Sequence, residues 1–481
     1  MSTTSKASQR ITALLDENSF VEIGALVTAR ATDFNMKPSE TPCDGCVTGY
    51  GVMGGKPVYV YSQDASVLGG SVGEMHAKKI ASLYDMAMKT GSPVIGLIDS
   101  TGLRLQESVD GLNAFGQIYM KQSLASGVIP TITAIFGNCG GGLSIVAGLS
   151  DFTFMEVENA QLFVNSPNAI TENRKEICDN ASAKFQSEEA GNVDFVGTEA
   201  EVIEGIRNLV SVLPSNNEDE ASDLECYDDL NRAAEGIENC GEDTLLALEN
   251  ISDDGFIIEA KRNYAPEMVT AFIKLNGATV GAVANRTKVY DDDMNVAAEF
   301  DAKLTAKGCN KAAEFVNFCD AFNIPVLTLT NVNGFAATMC QEKNGAKASS
   351  KLVYAFANAT VPKVNLIIGD AIGSAYVTMN SKATGADIVY AWPTAKVGMM
   401  EAKSAVEIMY ADEIASGDAN QVINEKVAEY QNLQGSVMAA AARGYVDSIV
   451  EPVDTRKYLI GAFEMLYTKF EERPGKKHGT V

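Results

Sequence analysis

The sequence has 481 residues, of which 46% are hydrophobic, so it is long enough for two or three domains with buried cores. Its formal net charge of −25 argues against a broad nucleic-acid-binding face, because phosphates require a dense basic surface. The sequence has no apolar run of about 20 residues for membrane insertion, and its polar N-terminus lacks a secretory signal, so we expect a cytoplasmic protein.

Cysteine and histidine usage bears on metal chemistry. The nine cysteines are an odd number, and their one close pair is Cys43 and Cys46, which fits reduced thiols better than disulfides. A zinc site of four thiolates would need a second such pair. Since His76 and His478 are the only histidines, we expect no metal site and no mechanism that needs two histidines.

The first predicted elements are a helix and a buried strand. Residues 79–89 (KIASLYDMAMK) place apolar side chains near the i, i+3, i+4 and i+7 positions of an amphipathic helix. Pro93 and the apolar run VIGLI follow, which is typical of a buried strand. A second helix then leads to a strand that begins near Thr131. Alternating helices and buried strands indicate crossover α/β units.

A glycine cluster, GNCGGGLS (137–144), follows this second strand. Glycine allows positive φ and close approach of a ligand, and N–H groups at a helix start carry partial positive charge. Such a turn can hold an oxyanion, although a strand-to-helix turn without any ligand would also be rich in glycine. The cluster is neither a P-loop nor a dinucleotide fingerprint, because the required glycine spacings are absent.

The second half of the sequence repeats the first. PVIGLIDSTG (93–102) matches PVLTLTNVNG (325–334) at a shift of 232 residues (325 − 93 = 232), and PTITAIFG (130–137) matches PKVNLIIG (362–369) at the same shift. The shift also places Gly141 on Gly373, within a second cluster, GDAIGSAY (369–376). One offset held by separated segments indicates one fold used twice. The acidic stretch 215–229 reads as the connection, and we assign domains to 1–232 and 233–481.

Longer motifs carry a resemblance to a known family. The first half contains DGCVTGYG (44–51), LGGSVGEMHAKK (68–79), RLQE (104–107) and GNCGGG (137–142), and the second contains FCDAFNIP (318–325), ATVPK (359–363), GSAY (373–376), AWPT (391–394) and GYVD (444–447). This set resembles the biotin-dependent acyl-CoA carboxyltransferases. The family includes propionyl-CoA carboxylase β subunits, methylmalonyl-CoA carboxyltransferase, and the α subunits of sodium-pumping methylmalonyl-CoA and glutaconyl-CoA decarboxylases.

The resemblance implies an α/β fold of two tandem crotonase-like (ClpP/crotonase) ββα-superhelix domains. It implies an acyl-CoA side in the N-terminal domain and a biotin side in the C-terminal domain. It further implies that each active site joins the first half of one subunit to the second half of another, and so a homo-oligomer, either a dimer or a hexamer. It also assigns roles to residues, with Gly141 and Gly142 facing the thioester and Ser374 and Ala375 facing biotin. The remaining residues that we expect to bind substrate are Gly69, Gly70, Lys78, Lys79, Gly102, Arg104, Gly334, Phe335 and Gly373.

For two of these residues, Arg104 and Lys78, the sequence also allows a structural role instead of ligand binding. Arg104 follows the end of a predicted strand, which suits a ligand contact, but a structural ion pair would place an arginine there equally well. Lys78 could meet CoA phosphates or lie on a solvated helix face.

The implied reaction suits this composition. Carboxybiotin releases CO2 and leaves a ureido anion, which removes the α-proton of the acyl-CoA before the enolate attacks CO2. Two anionic species then need stabilisation and no protein base is required, which agrees with the scarcity of histidine. The helical context of AMK (87–89) argues against biotin attachment there, so biotin must arrive on a separate carrier protein. The implied partners are that carrier and either a biotin carboxylase or membrane decarboxylase subunits.

The second half departs from the family pattern at several positions. Ser374 stands where the family has glycine, and the segment MEAKS (400–404) lacks both glycines of the family's motif. These departures leave alternatives open. The chain could be a biotin-independent crotonase-type enzyme, a non-catalytic assembly subunit, or the α subunit of a sodium-pumping decarboxylase.

Overall fold

The computed structural model describes residues 5–30, 40–219, 225–291 and 293–476, so His478 lies outside the described residues. The chain divides into two compact units, Met1–Ser222 and Asp223–Val481, and the division falls within the acidic stretch 215–229.

The first unit is a mixed sheet with helices packed on it. The strands are β1 (Val21–Ile23), β2 (Cys46–Met53), β3 (Lys56–Gln63), β4 (Val94–Ser100), β5 (Thr131–Gly140), β6 (Phe152–Glu156), β7 (Gln161–Phe163) and β8 (Phe195–Gly197). The helices are α1 (Lys6–Leu14), α2 (Glu74–Thr90), α3 (Ser108–Ala125), α4 (Leu143–Gly148) and α5 (Glu199–Val212). The sheet order is β1-β2-β3-β4-β5-β6-β8, and β7 pairs with β5. Strands β3 to β8 pair in parallel, while β1, β2 and β3 pair antiparallel.

The second unit repeats this plan. Its strands are β9 (Ile257–Ala260), β10 (Met268–Leu275), β11 (Ala278–Asn285), β12 (Lys288–Tyr290), β13 (Val296–Glu299), β14 (Val326–Asn333), β15 (Lys363–Ile372), β16 (Ile388–Ala391), β17 (Lys396–Gly398) and β18 (Ser448–Ile449). Its helices are α6 (Thr244–Ile251), α7 (Ala306–Ala321), α8 (Met339–Asn358), α9 (Gly373–Thr378), α10 (Ala402–Met409), α11 (Ala411–Ser416), α12 (Ala419–Tyr430), α13 (Val437–Ala442) and α14 (Thr455–Leu466). The main sheet runs β18-β16-β15-β14-β11-β10-β9 with β17 on β15, and β12 and β13 form a separate ribbon.

The predicted helix and strands are present with slightly wider bounds. Helix α2 covers the predicted 79–89. It ends at Thr90 and is capped by Gly91, which has a left-handed conformation with φ of 60°. Its apolar side chains and those of α3 pack on β3, β4 and β5 in one buried cluster. The run VIGLI forms most of β4 and is fully buried, as expected for a parallel strand that is covered on both faces.

The internal repeat is visible in the strand register. In the first unit Val94 pairs with Thr131, and the register of β4 and β5 shifts between Ile98 and Ser100. In the second unit β14 and β15 pair through positions 326 and 363, and their register shifts between 330 and 332. Each position in the second unit lies 232 residues after its counterpart in the first. The register shift between the two central strands is therefore duplicated as well.

A buried lysine occupies the same place in both units. Lys311, on α7, donates from Nζ to the carbonyls of Lys261 and Tyr264 at 2.8 Å each. Lys79, its counterpart on α2, donates to the Cys43 carbonyl at 3.1 Å and also to that of Cys46. In each unit the accepting segment contains residues with positive φ, including Cys43 and Lys261. We infer that the ammonium group stabilises an otherwise unfavourable turn by satisfying its carbonyls.

We expect Lys311→Met to lower the free energy of unfolding by roughly 3 kcal/mol, because it leaves buried carbonyls without a donor. Burial lowers the pKa of Lys311 to about 7, because the folded chain disfavours the charged form. Urea denaturation should therefore be followed at pH 8, where the neutral amine still donates to the carbonyls and the desolvation penalty of the ammonium form is smaller. Lys351→Met, at an exposed position of α8, is the matched control and should change stability by less than about 0.5 kcal/mol. Equal effects of the two substitutions would contradict the role given to Lys311.

Among the described residues, the helices are all too short or too polar to cross a bilayer.

Candidate functional site

The loops that follow β3, β4 and β5 form one layer at the carboxyl edge of the first sheet. The Thr101 N–H donates to the Gly69 carbonyl at 3.0 Å, and the Val72 N–H donates to the Gly102 carbonyl at 2.8 Å. A Cβ atom on Gly70 would lie 2.3 Å from the Asp99 carbonyl oxygen, so the loops approach more closely than side chains allow. The structure therefore brings together Gly69, Gly70 and Gly102, which were expected to bind substrate.

The turn after β5 leaves two backbone donors free. Gly141 has φ of 60°, and its N–H donates to the Phe163 carbonyl on β7 at 2.9 Å. Among the described residues, nothing accepts a hydrogen bond from the N–H groups of Gly142 and Leu143, which begin α4. Gly142 is exposed, and a Cβ on Gly141 would meet no atom within 4 Å. Gly142 thus offers a free donor at an exposed residue, while the unpaired Leu143 N–H belongs to a residue that is only 1% exposed. The contribution of Gly141 is its conformation rather than its N–H.

Arg104 lies behind this layer, not on its surface. It is 2% exposed, and its Nη1 lies 2.7 Å from both Asp44 Oδ1 and Glu107 Oε1. Its remaining donors reach Ser71, with Nη2 donating to the carbonyl at 2.7 Å and Nε to Oγ at 3.2 Å. A Cβ on Gly73 would collide with this triad. This geometry fits the ion-pair alternative for Arg104, and a direct ligand contact stays a prediction.

The adjacent lysines of the family motif have different environments. Lys79 is 8% exposed and its ammonium is held by the Cys43 and Cys46 carbonyls, so it too supports the site from within. Lys78 is exposed and pairs with Glu74 at 2.7 Å on the same helix face. Of the two expected contacts for CoA phosphates, only Lys78 is accessible.

His76 connects Asp44, a member of the Arg104 ion triad, to Gln63 at the end of β3. Its Nδ1 lies 3.0 Å from the Asp44 carbonyl oxygen, and its Nε2 lies 3.1 Å from the Gln63 amide nitrogen. Because the carbonyl can only accept, the network assigns the ring proton to Nδ1 and makes Nε2 an acceptor. Complete burial, and secondarily the Arg104 charge, lower the pKa of His76 to about 3. The ring is therefore neutral at physiological pH.

We expect His76 to make the folded chain sensitive to acid. Since its folded pKa is depressed below the ordinary value of 6.5, the unfolded chain binds a proton between pH 6.5 and 3 that the folded chain does not. Its contribution to stability is present above pH 6.5 and is lost as pH falls, at up to about 1.4 kcal/mol per pH unit. His76→Gln should flatten the dependence of urea unfolding on pH between 6 and 4.5. An unchanged slope in His76→Gln would contradict the assignment.

The second unit has a corresponding turn after β15. Gly373 has φ of 68° and Gly334 has φ of 97°, which match Gly141 and Gly102 at 60° and 94°. An isolated bridge joins Leu304 to Phe335, as Val72 is joined to Leu103 in the first unit. The structure thus places Gly334, Phe335 and Gly373 at the equivalent edge of the second sheet, and Phe335 is 39% exposed there.

Ser374 lies one residue beyond the position that requires glycine. It is exposed within the first turn of α9 and has no positive φ, while Ala375 is buried. The N–H groups of a first helical turn have no acceptor inside the helix, and the Ser374 amide belongs to an exposed residue whereas Ala375 is 0% exposed. The serine therefore causes no backbone strain, and its departure from the family pattern leaves the turn intact.

The segment that departs most from the family lies against this turn. A Cβ on Gly373 would be 3.2 Å from the Met399 carbonyl oxygen, and Glu401 accepts a hydrogen bond from Asn333 Nδ2 at 2.8 Å. The positions that match Arg104 and Glu107 at the 232-residue shift are Ala336 and Met339, so this ion triad has no counterpart at the matching positions of the second unit. The two edges share their backbone geometry and differ in their supporting charges.

Comparison with known proteins covers nearly the whole chain. Residues 4–481 match the family model described as a carboxyl transferase domain. The methylmalonyl-CoA decarboxylase subunit alpha of Propionigenium modestum is 39% identical over 488 residues, covering 99% of this chain and 92% of that protein. The propionyl-CoA carboxylase beta chain of Roseobacter denitrificans is 38% identical over 487 residues, covering 99% and 93%. The crystal structure of transcarboxylase 12S, described as a hexamer with hydrolysed methylmalonyl-coenzyme A bound, has a TM-score of 0.91 at 37% identity, covering 98% of this chain and 92% of its own.

Proposed function

This chain belongs to the carboxyl transferase domain family, and from that membership we propose that it moves a carboxyl group between biotin and the α-carbon of a short acyl-CoA, of the propionyl or methylmalonyl type. Its two units are tandem crotonase-like domains, in agreement with the transcarboxylase 12S fold. The observation that carries the proposal is the glycine-led turn after the central strand, present in both units with the same φ and register.

In the first turn, the amides of Gly142 and Leu143 would bind the thioester oxygen. Negative charge develops on that oxygen when the bond between the α-carbon and its proton or carboxyl group breaks. Free N–H groups that are already oriented stabilise this charge without reorganisation, and one such donor typically contributes about 3–4 kcal/mol to the transition state. Gly141 belongs to the catalytic turn because its positive φ presents the next two amides.

In the second turn, the amides of Ser374 and Ala375 would bind the ureido oxygen of biotin. Biotin, delivered on a separate carrier protein, supplies the carboxyl group and the ureido nitrogen that exchanges it. An exposed serine at the start of α9 leaves room for a ligand carried by another protein, and its ordinary φ keeps both amides in the helical turn. The residues therefore fit the group.

Side-chain base catalysis has little support among the described residues. His76 is buried, its pKa is lowered to about 3, and both ring nitrogens are engaged. Biotin would supply the group that accepts the α-proton, so no protein base would be needed and the backbone amides would supply the catalysis from this chain.

The other site residues would shape and line the substrate channel. We propose Lys78 as a contact for CoA phosphates, and Gly69, Gly70 and Gly102 as the close-packed floor of the acyl-CoA side. Gly334, Phe335 and Gly373 would take the corresponding positions on the biotin side. Arg104 and Lys79 would act from within, by fixing the loops that carry these residues.

The domain assignment, partners and direction belong to the same proposal. Residues 1–232 would form the acyl-CoA domain and 233–481 the biotin domain, and the protein would act in the cytoplasm. Relatives of nearly equal similarity include a decarboxylase α subunit and carboxylase β chains, which share the biotin half-reaction. The partners would be a biotin carboxyl carrier protein together with a biotin carboxylase or membrane decarboxylase subunits.

The proposal is tested by incubating the protein with methylmalonyl-CoA in the presence and absence of free biotin. We expect decarboxylation to propionyl-CoA that depends on biotin and saturates with both substrates. Turnover without biotin would favour a biotin-independent crotonase-type enzyme. CoA binding without turnover in either condition would favour a non-catalytic assembly subunit.

We expect Gly142→Ala to lower kcat/KM by roughly 100-fold, the typical effect of losing one oxyanion donor. The new Cβ would lie 2.8 Å from the Tyr119 hydroxyl oxygen and would crowd the Gly142 amide. Gly148→Ala, at the end of the same helix, is the control, because its Cβ would meet no atom within 4 Å. If Gly142→Ala retained wild-type turnover, the first turn would not be the thioester site.

Helix α3 offers a surface for self-association. Val109, Leu112, Met120 and Leu124 are between 55% and 71% exposed, and they recur at spacings that place them along one face of the helix. An exposed apolar stripe of this length marks an interaction surface. We propose that it buries itself against another copy of the chain, in a dimer or hexamer whose sites combine a first half and a second half from different copies.

The expected assembly is measurable by light scattering, which should give a mass of at least twice the 51.2 kDa chain. Leu112→Glu and Met120→Glu should reduce that mass and the activity together, because each places a charge in the apolar stripe. Asn208→Glu, at an exposed polar position of α5 and outside the stripe, should change neither. A fully active wild-type monomer would contradict the proposed assembly.

A further inference from the structure

Two side-chain hydroxyls hold the peptide groups of the Gly141 turn. The Ser144 hydroxyl donates to the Gly141 carbonyl oxygen at 2.7 Å, and the Ser144 N–H donates to the same oxygen at 3.1 Å. The Tyr119 hydroxyl reaches across from α3 and donates to the Gly142 carbonyl oxygen at 2.5 Å.

These carbonyls belong to the same peptide groups as the free donors. The Gly141 carbonyl shares a planar peptide with the Gly142 N–H, and the Gly142 carbonyl shares one with the Leu143 N–H. Fixing the oxygen of a planar peptide fixes the direction of its N–H. A hydrogen bond accepted by the carbonyl also polarises the group, which strengthens the N–H as a donor. Ser144 and Tyr119 therefore set both the aim and the strength of the two amides.

The Tyr119 contact is more than ordinary helix packing. Among the described residues it is the only hydrogen bond of this half-buried hydroxyl, and the ring is oriented by Phe115, whose centroid lies 5.9 Å away. Burial raises the pKa of the phenol, so the hydroxyl keeps its proton and remains a donor. A fixed donor of this kind, reaching from another helix to an exposed turn, orients the turn.

The second unit lacks this arrangement. The positions that match Tyr119 and Ser144 at the 232-residue shift are Lys351 and Tyr376, and neither donates to the Gly373 turn among the described residues. One hydroxyl, that of Thr378, donates to the Ser374 carbonyl at 2.9 Å, which is the bond to residue i−4 that threonines commonly form inside helices. The clamp from a neighbouring helix is a feature of the first turn.

We propose that Tyr119 and Ser144 are positioning residues for the oxyanion site of the first unit. They act through the Gly142 and Leu143 amides and do not touch the substrate. The inference rests on the proposed function, since it assigns those amides to the thioester oxygen.

The test compares Tyr119→Phe and Ser144→Ala with Tyr50→Phe, a control at an exposed tyrosine on β2. Three quantities are measured for each variant: kcat and KM for biotin-dependent decarboxylation, the affinity for CoA, and the affinity for a CoA thioether bearing a nitronate, which mimics the enolate charge. We expect each variant to lose about ten-fold in kcat and in nitronate affinity, the scale of one neutral hydrogen bond. KM and CoA affinity should stay unchanged. Ser144→Thr keeps a hydroxyl and should retain the kcat and the nitronate affinity that Ser144→Ala loses. The Tyr50→Phe control should match wild type.

Two results would overturn the inference. One is an active wild type whose variants keep full kcat and full nitronate affinity. The other is a loss of CoA affinity and thermal stability in parallel with kcat, which would mark a merely structural role. Absence of biotin-dependent turnover in the wild type would instead remove the proposed function, and nitronate binding would still report whether the two hydroxyls orient the turn.

Discussion

A left-handed glycine directly after the central parallel strand is the constraint on which the site geometry depends. At Gly141 and Gly373 the chain must reverse within one residue, and positive φ achieves this without strain only at glycine. The reversal leads into a short helix whose first amides have no acceptor in the helix, and two of these amides belong to the exposed residues Gly142 and Ser374. A strand that ended in any other way would direct those amides into the fold, and a buried N–H without an acceptor is costly.

The close-packed loops around this turn explain where the buried charges are placed. Cys43, Asp44 and Gly45 all have positive φ, and the cost of the two non-glycine residues is about 1–2 kcal/mol each. The Lys79 ammonium satisfies carbonyls of this segment, while the Arg104 guanidinium neutralises the Asp44 carboxylate beside it. Burial raises the pKa of Asp44, and the nearby Arg104 opposes that shift. The charged residues of the family motif thus maintain a backbone shape, and the backbone itself presents the donors.

Much of this architecture could be predicted from the sequence, because it leaves a periodic or repeated trace. Helix α2, strands β4 and β5 and the 232-residue repeat follow from hydrophobic spacing and internal similarity. The roles of Arg104 and Lys79 could not be predicted, because a charged residue in a motif has the same letter whether it faces a ligand or a buried carboxylate. One carboxylate partner of Arg104 is Glu107, three positions later, but the other is Asp44, 60 positions earlier, and local pattern does not reveal contacts at that separation.

The same limit applies within the turn. The family resemblance implied that Gly141 and Gly142 face the thioester, but the Gly141 N–H donates to the Phe163 carbonyl, on a strand whose pairing with β5 has no local signal. The role of Tyr119 could not be predicted because it lies on an ordinary amphipathic helix, and hydrophobic periodicity does not indicate what a hydroxyl group contacts. Ser144 is part of the glycine cluster, and its role becomes apparent only when the peptide it holds is seen.

The boundary between Gly373 and Ser374 has a consequence for how this candidate site can diversify. The first of these residues is confined by its backbone angle and the second is not, although they are neighbours and share one helix. In a saturation mutagenesis library, position 373 should therefore tolerate few substitutions and the next position, 374, should tolerate many. Residue 374 becomes a place where new side chains can enter the rim of the site without disturbing its amides. The fold therefore fixes the backbone geometry at Gly373, while the side chain at residue 374 can vary and so change which ligands the site recognises.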